Sequence, residues 1–292
     1  MRLLFIHGIA QQDYTEAQLL AIWTNHLLDY GFDPDKLRAA KPEMAFYGDR
    51  LYEWTKGGPV GPVPMGPPMQ SGELDFLSKT LDEIAKAKAL DEDKIEARAS
   101  EAAIHEGARA IGQSIWIGRR AVAIVSLLDE ISPFLGRFVA KHIRQAYVYL
   151  ADKNARKDID DLVRRRLGSG EVVVVSHSLG TVVAFNLLRE LSDSGADIKV
   201  PLFITLGSPL AIEEVQRWVK GTFAVPKAVT TWKNFYDKGD PVTLGRGLEL
   251  DPKLKTGFAI GIKDTIVKND TLNAHSIAGY LDDIVKPLSE AL

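Results

Sequence analysis

Residues 171–188 read Glu-Val-Val-Val-Val-Ser-His-Ser-Leu-Gly-Thr-Val-Val-Ala-Phe-Asn-Leu-Leu. Four consecutive valines predict a strand buried on both faces, and apolar residues return at helical spacing after Gly180. Between the two lies Ser178, with Ser176 two residues before it and Gly180 two residues after. A serine on a tight strand-to-helix turn needs small neighbours at those positions, because the strained backbone brings them close. Its hydroxyl is then exposed at the carboxyl end of the strand, beside the positive end of the following helix. Charge developing on a bound carbonyl oxygen would meet the Leu179 amide there. Ser178 is therefore the candidate nucleophile.

A serine hydroxyl needs a base, and histidine suits that role near neutral pH. Of the six histidines, His177 adjoins Ser178 and is expected to point away from it, while His26, His105 and His142 fall in helical stretches. His7 reads as a structural bridge between loops. His275, after Asn273-Ala274, remains as the base. A carboxylate must orient it, and Asp240 is favoured over Asp237 because Gly239 and Pro241 shape a tight turn around it. Asp251, Asp264 and Asp270 are expected to be solvated loop charges. A second oxyanion donor is expected from Ile9, where Gly8 ends the apolar strand 2–6 and lets the backbone approach a ligand. Gly8 and His177 are expected to border bound substrate.

Outward from the serine, strands are expected at 2–6, 43–47, 201–206 and 228–236. Helices are expected at 15–30, from Leu74 through Ile84, at 93–106, within 108–131, from Pro133 to about Leu150, at 154–167, and from His275 to about Val285. Five glycines and five prolines between Gly57 and Gly72 predict a loop. The alternation implies an α/β architecture, a doubly wound and mostly parallel sheet. The organisation expected is a core of residues 1–55 and 150–292, with 56–149 as a helical insertion forming a cap or lid.

Composition excludes several function classes. The 292 residues carry 46% hydrophobic and 26% charged residues with a net charge of -3, which gives no reason to expect nucleic acid as a partner. Without cysteine there is no disulfide framework, thiolate nucleophile or cysteine-bound metal. The run Leu3-Leu4-Phe5-Ile6 is too short for a signal-peptide core, and no apolar run approaches a membrane span. A cytoplasmic protein is expected. Between residues 107 and 150, basic side chains mixed with Ile124, Val125, Leu127 and Leu128 allow peripheral lipid contact.

In this order, Phe5-Ile6-His7-Gly8, Ser176-His177-Ser178-Leu179-Gly180, Gly239-Asp240-Pro241-Val242 and Asn273-Ala274-His275-Ser276 resemble the oxyanion loop, elbow, acid turn and histidine loop of the α/β-hydrolase superfamily, particularly its lipase- and esterase-like members. The resemblance covers about residues 1–55 and 150–292. It departs from the family in opening the elbow with Ser176 rather than glycine, and in beginning the oxyanion strand at residue 2, so that the family's first two strands are expected to be absent or placed elsewhere. It implies a serine hydrolase acting on a small-molecule or lipid ester, with Ser178, His275 and Asp240 as triad, Ile9 and Leu179 as oxyanion donors, and no metal or organic cofactor. Thioester or amide hydrolysis and acyl transfer share this machinery. The rival expectation is a non-catalytic protein of the same fold that binds a partner through its insertion.

Overall fold

The computed structural model describes residues 1–55, 71–105, 113–133, 135–219, 224–249 and 261–292. Among them, β1 (Arg2–Ile6), β2 (Glu43–Ala45), β3 (Gly170–His177), β4 (Ile198–Leu206), β5 (Val229–Asp237) and β6 (Ile262–Val267) form one sheet. The strands lie in the order β2-β1-β3-β4-β5-β6, and every pairing is parallel.

Alternation along the strands builds two apolar layers. Leu3 and Phe5 of β1 and Val173 and Val175 of β3 face α1 (Glu16–Asp29), where Trp23 and Leu27 are buried with them. Leu4, Ile6, Val172 and Val174 face the opposite layer, which includes α8 (Lys153–Leu167) and α9 (Leu179–Asp193). A sheet covered on both faces requires strands apolar throughout, which accounts for the valine run. From β1 the chain crosses to β2 on one side, and later returns to β3 on the other. The carboxyl ends of β1 and β3 therefore flank the point where the winding reverses. In open parallel sheets that crevice is where ligands bind.

The expected insertion is helical where it is described: α4 (Ser71–Ala87), α5 (Glu92–His105), α6 (Gln113–Ile131) and α7 (Leu135–Ala151). The stripe Leu77, Leu81 and Ile84 of α4 is buried, as are Ile124, Val125, Leu127 and Leu128 of α6, all in one continuous apolar cluster with β1, β3 and α9. Those α6 side chains face the core and form no outward lipid-facing surface. No helix among the described residues is long and apolar enough to cross a membrane.

Several expectations change. The loop expected over Gly57–Gly72 lies outside the described residues up to 70, and Gly72 belongs to α4. Strand β4 starts at Ile198, and its Pro201 sits where the β3–β4 register shifts, so no ladder donor is lost. Instead of one helix from His275, the chain makes a turn and then α11 (Ala278–Leu281) and α12 (Val285–Ala291), in the numbering that follows α10 (Glu213–Trp218). Helices α2 (Pro34–Ala39), α3 (Gly48–Thr55) and α10, and strand β6, were not expected. Asp264 is not a solvated loop charge. It lies on β6 and accepts from Asn234 Nδ2 at 2.8 Å and from the backbone N–H groups of Leu248 and Glu249. Asp270 is exposed beside Lys268, and Asp251 lies outside the described residues.

Candidate active site

Ser178 joins β3 to α9 with φ 54 and ψ -129, a strained conformation for a residue with a Cβ. Its N–H donates to Leu206 O at 3.0 Å, which ties the turn to β4. Two glycines make the turn sterically feasible. A Cβ on Gly180 would lie 2.3 Å from His7 O and 2.4 Å from Ile6 O, and one on Gly8 would lie 2.6 Å from Ser178 Cβ. The N-terminus of α9 thus packs directly on the end of β1. Leu179 is the first residue of α9, so its N–H has no intrahelical acceptor.

His275 and Asp240 meet this serine. His275 Nε2 is 2.8 Å from Ser178 Oγ, and His275 Nδ1 is 2.7 Å from Asp240 Oδ2. All three are almost fully buried, at 3%, 2% and 0% exposure in the order Ser178, His275, Asp240. A carboxylate accepts, so His275 carries its proton on Nδ1, and Nε2 presents a lone pair to the serine hydroxyl.

Asp240 follows β5 in a tight turn, with Oδ1 accepting from Val242 N at 2.8 Å and Oδ2 also accepting from Tyr280 Oη–H at 2.7 Å. Asp237, its sequence competitor, instead accepts from the N–H groups of Gly239 and Asn269 and braces the turn. Asn269 Nδ2 in turn donates to Ala274 O and Ser276 O, on either side of His275. Burial, then the neighbouring Asp240 charge, pushes the Tyr280 phenol well above its usual range, so it remains a donor.

His177 is not on the cavity wall, nor is Gly8. His177 Nε2–H donates to His275 O at 3.0 Å, and its ring lies 4.8 Å from the His275 ring. Burial holds it neutral, well below the usual imidazole range. It backs the histidine loop. His7 bridges strand ends: Nδ1–H donates to Gly8 O, Nε2 accepts from Tyr47 N at 2.9 Å, and Tyr47 Oη–H donates to His7 O. Burial lowers the pKa of His7 to about 4.

A cavity opens beside Ser178, bordered by Ile9 and Leu179 and roofed by α4 and α7. Its wall is almost wholly carbon. Helix α7 adds two rings near His275: Phe138 at 5.9 Å and His142 at 5.4 Å, both edge-on. His142 shares its Nδ1 proton with Phe138 O, and burial keeps the ring neutral. Sequence reading missed Tyr280, Asn269, Phe138 and His142 as parts of this site, and only Tyr280 and Asn269, close to His275 in sequence, offered a local signal. Among the described residues, no cluster of three or more histidines, cysteines or acidic residues is arranged to hold a metal ion. The chain matches no protein-family model and no curated protein.

Proposed function

We propose that this chain is a serine hydrolase that cleaves a carboxylic ester through an acyl-enzyme on Ser178. The observation that carries the proposal is the continuous hydrogen-bonded chain Ser178 Oγ, His275, Asp240 at the reversal point of the sheet. The elbow geometry, the parallel strand order and the four sequence motifs in family order support placement among the α/β-hydrolases.

Ser178 Oγ attacks the ester carbonyl carbon as His275 Nε2 takes its proton. The carbonyl oxygen becomes an oxyanion against the N–H groups of Leu179 and Ile9. Asp240 stabilises the imidazolium without taking its proton. Collapse breaks the acyl carbon–alkoxy oxygen bond, and the alkoxide leaves with the proton from His275. Water repeats the sequence: His275 takes one proton from it, hydroxide adds to the acyl carbon, and Ser178 Oγ leaves with that proton. Thioesters and amides have the same balance. A chain without cysteine accords with a cytoplasmic setting for this activity.

A fluorophosphonate probe tests the proposal. Wild-type protein is expected to be labelled, with labelling abolished in Ser178→Ala and strongly reduced in His275→Ala. A folded wild-type protein that stays unlabelled and turns over no ester would refute it.

A further inference from the structure

We infer that the cavity under α4 and α7 holds the acyl half of the substrate and accepts uncharged aliphatic acyl groups of medium length. The inference rests on the hydrolytic reading of Ser178.

Position assigns the half. During turnover the leaving oxygen receives its proton from His275 Nε2, so the alcohol departs on the histidine side. The cavity is bordered by Ser178, Leu179 and Ile9, the nucleophile and the two oxyanion donors, but by neither His275 nor Asp240. It therefore extends from the side of the carbonyl carbon that keeps its substituent through both steps.

The wall assigns the chemistry. No charged side chain lines the cavity among the described residues, and its one histidine, His142, is neutral with its Nδ1 proton engaged. A carboxylate or ammonium on the acyl chain would lose its hydration there without a counter-charge. A hydrocarbon chain gains from the same transfer.

The helices assign the length. Helix α4 presents Phe76, Thr80 and Ile84 to the cavity, four residues apart, and α7 presents Val139, Ile143 and Ala146. The carboxyl end of α4 lies over the acid turn, where Lys88 Nζ–H donates to Gly239 O at 2.5 Å. The amino end of α7 lies over His275, through Phe138 and His142. Ile84 and Val139 are thus at the catalytic end, and Phe76 and Ala146 at the far end, where Phe76 packs on Tyr147 and Trp218. At a helical rise of about 1.5 Å per residue, that span is roughly 10–12 Å. That span fits an extended acyl chain of about eight carbons and is too short for one twice as long.

The test uses the full chain and two ester series, one lengthening the acyl group from acetate to palmitate on 4-nitrophenol, the other lengthening the alcohol of alkyl acetates. Expected is a kcat/KM that rises to about octanoate and then falls, with little dependence on alcohol length. Ala146→Trp is expected to lower the octanoate-to-acetate ratio of kcat/KM at least about tenfold, and Ala146→Leu to lower it by less. Retained fluorophosphonate labelling shows that each variant is folded and active. A preference that follows the alcohol, or a ratio unmoved in both labelled variants, would overturn the assignment while leaving the hydrolytic reading intact. A wild-type protein neither labelled nor active on any ester would instead remove the reading on which it rests.

Discussion

Replacing Asp240 with asparagine tests the proposed triad at its least forgiving point. Oδ1 of Asp240 accepts from Val242 N at 2.8 Å, so an asparagine keeps its carbonyl oxygen there and places its NH2 where Oδ2 was. That position now faces two donors, His275 Nδ1–H and Tyr280 Oη–H, each 2.7 Å away. The imidazole relieves the clash by moving its proton to Nε2, which then donates toward Ser178 and no longer accepts from it. A base held in the wrong tautomer costs about 10⁴-fold in rate, or ~5.5 kcal/mol of transition-state stabilisation. The assay is the second-order rate of fluorophosphonate labelling, accompanied by nitrogen NMR of the histidine rings. Asp240→Asn is expected to fold, to react about 10⁴-fold more slowly, and to show His275 protonated on Nε2. Labelling within tenfold of wild type, or a His275 still protonated on Nδ1, would refute the reasoning.

Three further outcomes follow from the packing. His7, held at about 4 by burial, is neutral in the folded chain while its unfolded counterpart titrates near 6.5. Its contribution is complete above pH 6.5 and is lost as pH falls toward 4, by about 3 kcal/mol, because the unfolded chain binds the proton first. His142 and His177 are displaced in the same direction, so urea unfolding between pH 7 and 4.5 should show a steep acid limb, and a flat one would contradict the buried neutral histidines. Thr80 Oγ1 is buried at the cavity wall with no hydrogen-bond partner, so Thr80→Val should be neutral or stabilising by about 1 kcal/mol in denaturant titration. Gly180→Ala drives a Cβ into two backbone carbonyls and should cost about 3 kcal/mol, read as a lowered Tm.

The sheet and the meeting of Ser178, His275 and Asp240 were legible for a local reason. A strand buried on both faces, such as 172–175, announces itself as a valine run, and a serine turn between it and a helix leaves small residues on both sides. Asp240, His275 and Ser178 could be singled out because each proposed role demands a residue type and a turn. Residues that act through distance left no such trace. Phe138 and His142 stand in an ordinary amphipathic helix, and only the crossing of α7 over the site brings them to His275. Strand β6 reads as polar because its Asp264 serves as an acceptor for the neighbouring strand and loop, which periodicity cannot reveal. The turn of His177 toward His275 O was not legible, because adjacency in sequence says nothing of which way a strand-end side chain turns.

The insertion reads as a cap or lid in sequence, and α4 is attached to the core as a wall. Helix α10 begins after Ile212, whose side chain makes no capping bond. The missing cap comes from α4, where Glu83 accepts from Glu213 N at 2.8 Å and from Glu214 N at 2.9 Å. Lifting α4 would orphan two backbone donors at the positive end of α10 and release Lys88 from Gly239 O. It would also expose the buried stripe of Leu77, Leu81 and Ile84. Two hydrogen bonds to a partly exposed carboxylate contribute about 2 kcal/mol together, so Glu83→Ala should lower stability by that amount. Because Ile84, one residue on, borders the cavity, the same variant should loosen the proposed acyl-length preference. A Glu83→Ala protein that melts like wild type and keeps the same preference would show that α4 is held by its apolar face alone.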